Sequence, residues 1–597
     1  MHGPADPIAF ELFKNAVFSI ADEMALTVVR TTYSGVIKSV MDFSTSFADA
    51  DGKMVAQGLT LPGHLGSIPT ALDTVMRMFG ENIGEGDVFV LNDPFAGGMH
   101  LPDIFVFKPI FYEDERLAFA ATVCHHTDMG GRVAGSNASD STEIFQEGLR
   151  IPPLKIYEAG RRNDTLFALI ERNVRVPISV VGDIRAQLAA CHTGETQFLE
   201  LVRRTGVAQS RALMQEVIDY AERLTRNAIA QLPDGEWSFE DWIDDDGIDR
   251  GRRIRLFVTF TKRGDHIAAD WAGSSPQVKG AINATLSFTK AATYTAVRSI
   301  LPGDIPNNEG MFRTIEVHAP PGTVCNVVMP GACAARGLTG FRMVDCAFGA
   351  LAKMVPDRVF AASEGGATGI SIGGYGPDRT PFIYVDFAAG TWGGRPWADG
   401  LDGNSNMFGN LAAQSIELVE AEQPLRIWDA DYVTDRAGAG RYRGGVPYCR
   451  AIELLADEAV LQVRSDRREV RPYGLNGGYP GKPSLNFMMR QGRSELLPSK
   501  LTLTMRRGDV FRHEIAGGGG WGDPLERDPA AVLRDVRNGL VSPQAAAAEY
   551  GVIVDTAAWA VDEAATARAR TRIRAARGPD ALQDVMWHQP DHGATTV

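Results

Sequence analysis

Two chemistry-bearing residues are scarce in this chain of 597: cysteine occurs six times and histidine eleven. The cysteines, Cys124, Cys191, Cys325, Cys333, Cys346 and Cys449, are scattered with no CxxC pair. That pattern excludes a disulfide framework and reads as free thiols in a reducing compartment. Long apolar runs are missing as well. No stretch approaches the roughly 18 uncharged apolar residues of a membrane span. The segment MHGPADPIAFELFKNAVFSIADEM mixes charges into its apolar run, where a signal peptide would have none. Positive charge is in deficit, 60 Lys and Arg against 74 Asp and Glu, for a net charge of −14 and a pI near 5.4. Such a surface argues against nucleic acid or an anionic membrane as main partner, while leaving room for one basic cleft. The expectation is a soluble, cytoplasmic protein.

Phosphate- and calcium-binding signatures are absent too. GGYPGKPS (477–484) has Pro after its Gly-Lys and the wrong spacing for a Walker A loop. In DRAGAGRYRGG (435–445), Arg443 stands where the dinucleotide fingerprint needs glycine. FADADGKM offers Phe47 where an EF-hand requires its first aspartate, and no GxSxG elbow occurs. Nothing in the sequence binds ATP in a recognisable way.

What is present is ordinary in bulk, with 44% hydrophobic and 22% charged residues. The 63 glycines point to many tight turns and much β structure. The length calls for two or more domains. Phe10, Phe13, Val17, Ile20, Met24 and Val28 recur at helical steps within Ile8–Thr31, with Asp6-Pro7 as a helix start. Residues 42–49 alternate and join Lys53–Gln57 through the turn Asp51-Gly52 as a hairpin. Further strands are expected at Asp87–Leu91, Ile104–Tyr112 and Leu117–Val123. A long helical region follows at Val180–Leu232, and LPDGEW (232–237) ends it. From there to 330 short strands and turns are expected, and then a Gly-rich mixed stretch ending in Gly517–Gly520. The overall expectation is an α+β, multi-domain mixed fold. It divides into 1–235, 236–526 and a helical segment with tail at 527–597, disordered after Pro590.

Three of the eleven histidines fall between positions 100 and 126, in two related loops. NDPFAGGMHLPD (92–103) follows a strand, and CHHTDMGG (124–131) is the other. Each spaces histidine and aspartate three apart, at 100 and 103 and at 125 and 128, beside paired glycines. Loops at strand ends let a rigid sheet aim several side chains at one point. Imidazole with carboxylate suits Zn, Mn or Fe better than a structural Cys-type zinc site. The plainer reading is a solvated turn histidine among common turn formers. His125 and His126 are adjacent, so on an extended backbone at most one points into a site.

At these residues the sequence resembles the B-type subunits of ATP-dependent hydantoinases, 5-oxoprolinases and acetone- or acetophenone-type carboxylases. The segments that carry the resemblance run over roughly 6–525. They include DPIAFELFKNAVFSIADEM, the 42–52 hairpin, HLGSIP (64–69), NDPFAGGMHLPD, HHTDMGG, EIFQEGLRIPP (143–153), SSPQVKGAINAT (274–285), GLTGFRMVD (337–345), RYRGG (441–445) and GGGGWGDP (517–524). The resemblance implies a divalent metal held by Asp42, His100, Asp103 and His125. It implies accompanying roles for His64, His126 and Asp128 in contacting substrate or, for Asp128, in holding a ligand imidazole. It implies an A-type partner subunit that binds ATP and phosphorylates the substrate, in a hetero-oligomer. The substrate class is a small cyclic amide, opened by hydrolysis, or alternatively a ketone that is carboxylated. A scaffold without catalysis and an iron oxygenase are the remaining readings. Basic residues common in the family before DFS are replaced here by Lys38-Ser39-Val40-Met41. Gly517–Gly520 could cradle phosphate or form a packed turn. Arg336 and Arg342 could meet an anionic substrate or form internal ion pairs.

Overall fold

The computed structural model describes residues 6–64, 66–366, 368–388 and 390–577. The first helix, Pro7–Thr31, begins where Asp6 caps it, accepting from the N–H groups of Ile8 and Ala9, with proline in the first turn. The expected strands and hairpin follow within one to three residues of their predicted ends. They are β1 (Phe43–Asp49), β2 (Met54–Gln57), β3 (Val88–Leu91), β4 (Asp103–Tyr112) and β5 (Glu115–His125), joined by β6 (Leu154–Glu158) and β7 (Arg161–Arg162). These form one antiparallel sheet in the order β2-β1-β5-β4-β3-β6-β7.

Both faces of that sheet are buried. Ile104, Val106, Ala118 and Ala120 belong to a core shared with the helices Pro7–Thr31 and Pro177–Thr205. Their alternates, Phe105, Phe107, Phe119 and Ala121, belong to a second core that continues through residues far beyond position 235. Period-two alternation thus sorts one strand into two cores. The helical stretch expected at Val180–Leu232 is two helices, Pro177–Thr205 and Val207–Ala230, separated at Gly206 with φ of +85°.

A second, mixed sheet contains β8 (Gly235–Ile243), β9 (Ile254–Arg263), β10 (His266–Asp270) and β11 (Ile315–His318), with β10 and β11 parallel. Two antiparallel sheets then share one core. One holds β12 (Thr368–Tyr375), β13 (Pro381–Ala388), β16 (Glu458–Arg464) and β19 (Lys500–Arg506). The other holds β14 (Leu425–Asp429), β15 (Cys449–Leu454), β17 (Leu485–Arg490), β18 (Arg493–Leu497) and β20 (Val510–Glu514).

Residues 236–330 are not only strands and turns. The helix Leu286–Ser299 lies among them, capped by Thr285, whose hydroxyl accepts from Phe288 N–H. The helix Gly337–Met354 likewise interrupts the Gly-rich stretch, and every residue but Lys353 is buried. A helix enclosed on all sides carries no apolar stripe, so periodicity does not announce it.

Gly517–Gly520 is a packed turn, not a phosphate cradle. Its four N–H groups donate to the carbonyls of Lys482, Gly445, Ala362 and Tyr479. A Cβ at Gly519 would stand 2.0 Å from the Tyr473 carbonyl oxygen, and the other three positions are as tight. The C-terminal segment is largely helical (Pro529–Arg537, Pro543–Glu549, Glu563–Arg577), and Arg577 pairs with Asp523 beside that turn. The tail expected to be disordered after Pro590 lies outside the described residues. All six cysteines are buried and free of disulfides, and no described helix is long and apolar enough to cross a membrane.

Candidate metal centre

The site grows from the ends of three neighbouring strands. Register places Phe43 opposite Cys124 and Asp103 opposite His125, and the His125 N–H donates to the Asp42 carbonyl at 3.0 Å. Asp42, His125 and Asp103 therefore form a row across β1, β5 and β4. His100 joins them from the loop before β4, whose Asp103 N–H donates back to the His100 carbonyl at 3.1 Å. That loop is fixed by Asn92, whose amide donates to the carbonyls of Leu101 and Leu149 and accepts from Ile151 N–H. Gly98 permits its tight return, since a Cβ there would lie 2.7 Å from the Asp93 carbonyl oxygen.

His100, Asp103 and His125 each offer a ligand atom, and the three atoms lie within 4.8 Å of one another in full burial. His100 Nδ1 is 3.0 Å from the Ala334 carbonyl, which can only accept, so Nδ1 carries the proton. Burial and the charge of Arg336 lower the His100 pKa to about 4, keeping the ring neutral. Nε2 then presents a lone pair to Asp103 Oδ1, 3.1 Å away. Burial alone would raise the Asp103 carboxyl, but the Arg336 guanidinium bonded to it holds it well below the ordinary range. Two acceptors thus face each other. His100 Nε2, Asp103 Oδ1 and His125 Nδ1 have no hydrogen-bond partner. Each such buried atom costs about 1–3 kcal/mol if left so, and a cation between His100 Nε2 and Asp103 Oδ1 would resolve that facing pair. With two neutral imidazoles and one carboxylate, the set needs no deprotonation to receive a divalent ion.

Asp42 and His64 stand in the wall of a cavity that His100 and His125 also line. His64 Nδ1 donates to Ser44 Oγ at 2.9 Å while that hydroxyl donates to the Leu61 carbonyl. His64 Nε2 is left facing Asp42 Oδ1 at 3.9 Å. Burial, and then the nearby Asp103, raise the Asp42 pKa to about 7. Asp42 lies outside the tight group of three ligand atoms. Phe288, Phe341, Phe408, Leu61 and Leu411 make the apolar walls, and Arg336 and Arg464 close the remaining side. Arg336 binds Asp103 Oδ2 at 2.5 Å and lies over the Phe288 ring.

His126 and Asp128 do not join this group. His126 is turned to the opposite face by strand alternation, and its Nε2 is 3.0 Å from Gln187 Oε1. Asp128 accepts from Arg175, through both backbone and guanidinium, and from Gly135 N–H, so its oxygens are committed to the loop and hold no imidazole. Arg342 is an internal ion pair with Asp466 at 2.6 Å. Three further groups reach the site with no sequence pattern to announce them: the Ala334 carbonyl, the Asn137 amide 3.5 Å from His125 Nε2, and Arg464 in the cavity wall.

Comparison with known proteins places this geometry in context. A family model described as hydantoinase B/oxoprolinase matches residues 6–524. The caprolactamase subunit beta of Pseudomonas jessenii is 34% identical over 576 residues, 94% of this chain and 98% of that one. The crystal structure of the ATP-dependent caprolactamase from Pseudomonas jessenii superposes with a TM-score of 0.89 at 32% identity, covering 95% of this chain and 100% of that chain. A nucleotide-free acetone carboxylase structure gives a TM-score of 0.90 over 96% of this chain and 83% of that one; at 20% identity it shows a common fold.

Proposed function

The chain belongs to the hydantoinase B/oxoprolinase family, and from that premise we propose that it is the metal-bearing component of a two-component, ATP-dependent enzyme that opens a cyclic amide. A separate A-type subunit would bind ATP and phosphorylate the ring amide oxygen. The observation that carries this reading is the buried convergence of one ligand atom each from His100, Asp103 and His125 within 4.8 Å, with His100 Nε2 and Asp103 Oδ1 facing each other unpartnered beside the cavity.

A ring amide resists water because its nitrogen lone pair stabilises the carbonyl. Phosphorylation of the oxygen leaves a C=N-like centre that water can attack. A divalent ion, Zn, Mn or Fe, held by His100, Asp103 and His125 would bring the pKa of a bound water toward neutrality. Asp42, from the same row of strand ends, is the fourth residue proposed for that ion. The Ala334 carbonyl keeps His100 in the ligating tautomer. Phe288, Phe341 and Phe408 hold the ring carbons and exclude bulk water. His64, with Nδ1 committed to Ser44, keeps Nε2 free to accept a proton at the cavity wall. One water adds to the activated carbon, the C–N bond breaks as the nitrogen takes up a proton, and a second water releases inorganic phosphate from the acyl phosphate.

The test is to purify the chain alone and with its A-type partner, measuring metal content and ATP-dependent ring opening. Metal in this chain and activity only in the mixture are expected. Full ATP-dependent ring opening by this chain alone would refute the division of labour. The fold in common with acetone carboxylase supports a second reading, in which the partner activates a ketone and bicarbonate for carboxylation here. Ketone-dependent bicarbonate fixation without lactam or hydantoin opening would select it.

A further inference from the structure

One buried cation in the cavity has no carboxylate in direct contact among the described residues. Arg464, at the end of β16, is 4% exposed and lines the cavity beside the histidines, its Nη1 sharing the Ala334 carbonyl with His100 Nδ1. Among the described residues no carboxylate lies within 4.0 Å of its guanidinium, whereas the neighbouring Arg336 is paired with Asp103. Arg464 Nη1 donates to the Asn137 side-chain oxygen at 3.1 Å and to the Ala334 carbonyl at 3.0 Å, and Nε has no partner. The side chain is deliberately accommodated. Gly369 sits opposite Arg464 in the β12–β16 register, and a Cβ there would lie 2.1 Å from Arg464 Nε. The guanidinium also rests over Phe387, whose ring meets His125 edge-on.

A buried, unpaired guanidinium is costly unless an anion meets it. Lone-pair acceptors and neutral amides cannot supply that charge. If a divalent ion occupies the centre, the two guanidinium groups and the ion exceed the charge of Asp42 and Asp103 by two. That excess matches a dianion better than a neutral ring or a monoanionic carboxylate.

We propose that Arg464 is the anion receptor of this cavity and takes the phosphoryl oxygens of the activated ring. This rests on the reading of the cavity as the place where an O-phosphorylated cyclic amide is opened. Arg464 would set the ring's orientation, with the phosphoryl group toward β16 and the ring carbon toward His100 and His125. It contacts substrate in this arrangement and transfers no proton.

Inorganic phosphate is the probe, titrated calorimetrically into the full-length wild type and the variants Arg464→Gln, Arg464→Lys and Gly369→Ala, with circular dichroism and elemental analysis on the same samples. The wild type binds phosphate saturably, and Arg464→Gln weakens it by about tenfold to a hundredfold, the loss of one or two charge-assisted hydrogen bonds. Arg464→Lys restores part of the affinity, and Gly369→Ala, which displaces the guanidinium, weakens binding while leaving Arg464 in the sequence. In the mixture with the A-type subunit, Arg464→Gln raises KM for the ring more than it lowers kcat. No saturable binding by the wild type, or equal affinity in folded Arg464→Gln, overturns the proposal. So does a ring carboxylate displacing phosphate at far lower concentration, which would assign the guanidinium to a carboxylate. Metal retained with phosphate unbound refutes the receptor and leaves the hydrolytic centre standing. Phosphate bound by a protein that never takes metal does the reverse.

Discussion

Around Gly517–Gly520 every N–H of the run finds a carbonyl, and backbones pack so closely that side chains are excluded. Around His100 the side chains are also buried, yet they border a cavity, and His100 Nε2 and Asp103 Oδ1 face each other without partners. Both regions look alike in sequence, as glycine-rich loops with aspartate and proline. Glycine there serves close approach in each case. The difference lies in where buried polarity is satisfied: inside the chain in one region, and by something from outside in the other. Unpartnered ligand atoms, and not glycine content, mark the chemical site.

The sharpest way to break that comparison is to remove a ligand atom. Asp103→Ala, with Asp103→Asn as the conservative control, is expected to abolish stoichiometric metal and to lower ring opening at least about a thousandfold, since a bound ion contributes several kcal/mol. Activity that survives in a complex that still forms would make the chain a scaffold. Gly519→Ala should act through folding alone. Forcing a methyl group against the Tyr473 carbonyl costs upwards of about 4 kcal/mol, read as a large fall in Tm, while whatever protein folds keeps its metal.

A third measurement concerns a buried histidine remote from the site. His513 donates through Nδ1 to Asn486 Oδ1 at 2.7 Å, and burial, followed by the charge of Arg436, lowers its pKa from 6.5 to about 3. The unfolded chain therefore binds the proton between those values and the folded chain does not. Stability is full above pH 6.5 and falls as pH drops toward 3, by about 2 kcal/mol at pH 5 from this group. Urea midpoints at pH 7.5 and 5 should converge in His513→Gln relative to wild type. The smallest effect is expected at His126. His126→Gln should change metal affinity less than about tenfold, because that ring faces Gln187, whereas His125→Gln should lose the ion. Equal losses in both would show that the strand-alternation argument has chosen the wrong ring.

Much of the first sheet was legible because its strands alternate and its hairpin carries Asp51-Gly52. The N-terminal helix was legible from a cap and a repeating apolar face. The helix Gly337–Met354 was hidden because burial on every side erases the period that betrays a surface helix. At the site, spacing pointed to His100, Asp103 and one of the adjacent histidines, and strand geometry decides for His125. Asp42 came only from family resemblance, since a lone aspartate before a strand has no distinguishing pattern. His126 and Asp128 lie apart from the group of three because Gln187 and Arg175 bond them, and nearness in sequence says nothing of either partner. Arg464 is 327 residues from Asn137, and no local pattern connects positions that far apart.

His100, Asp103 and His125 belong to the first sheet, whereas the carbonyl of Ala334 and the guanidinium groups of Arg336 and Arg464 arrive from more than 200 residues later. The seam between early and late polypeptide therefore runs through the cavity itself. An ion seated there acts as a rivet between the two parts. At a free concentration a thousandfold above its dissociation constant it would add about 4 kcal/mol to the stability of the whole chain. Demetallation then becomes a mechanical event as well as a chemical one, felt as earlier melting throughout the polypeptide and not only as a silent active site.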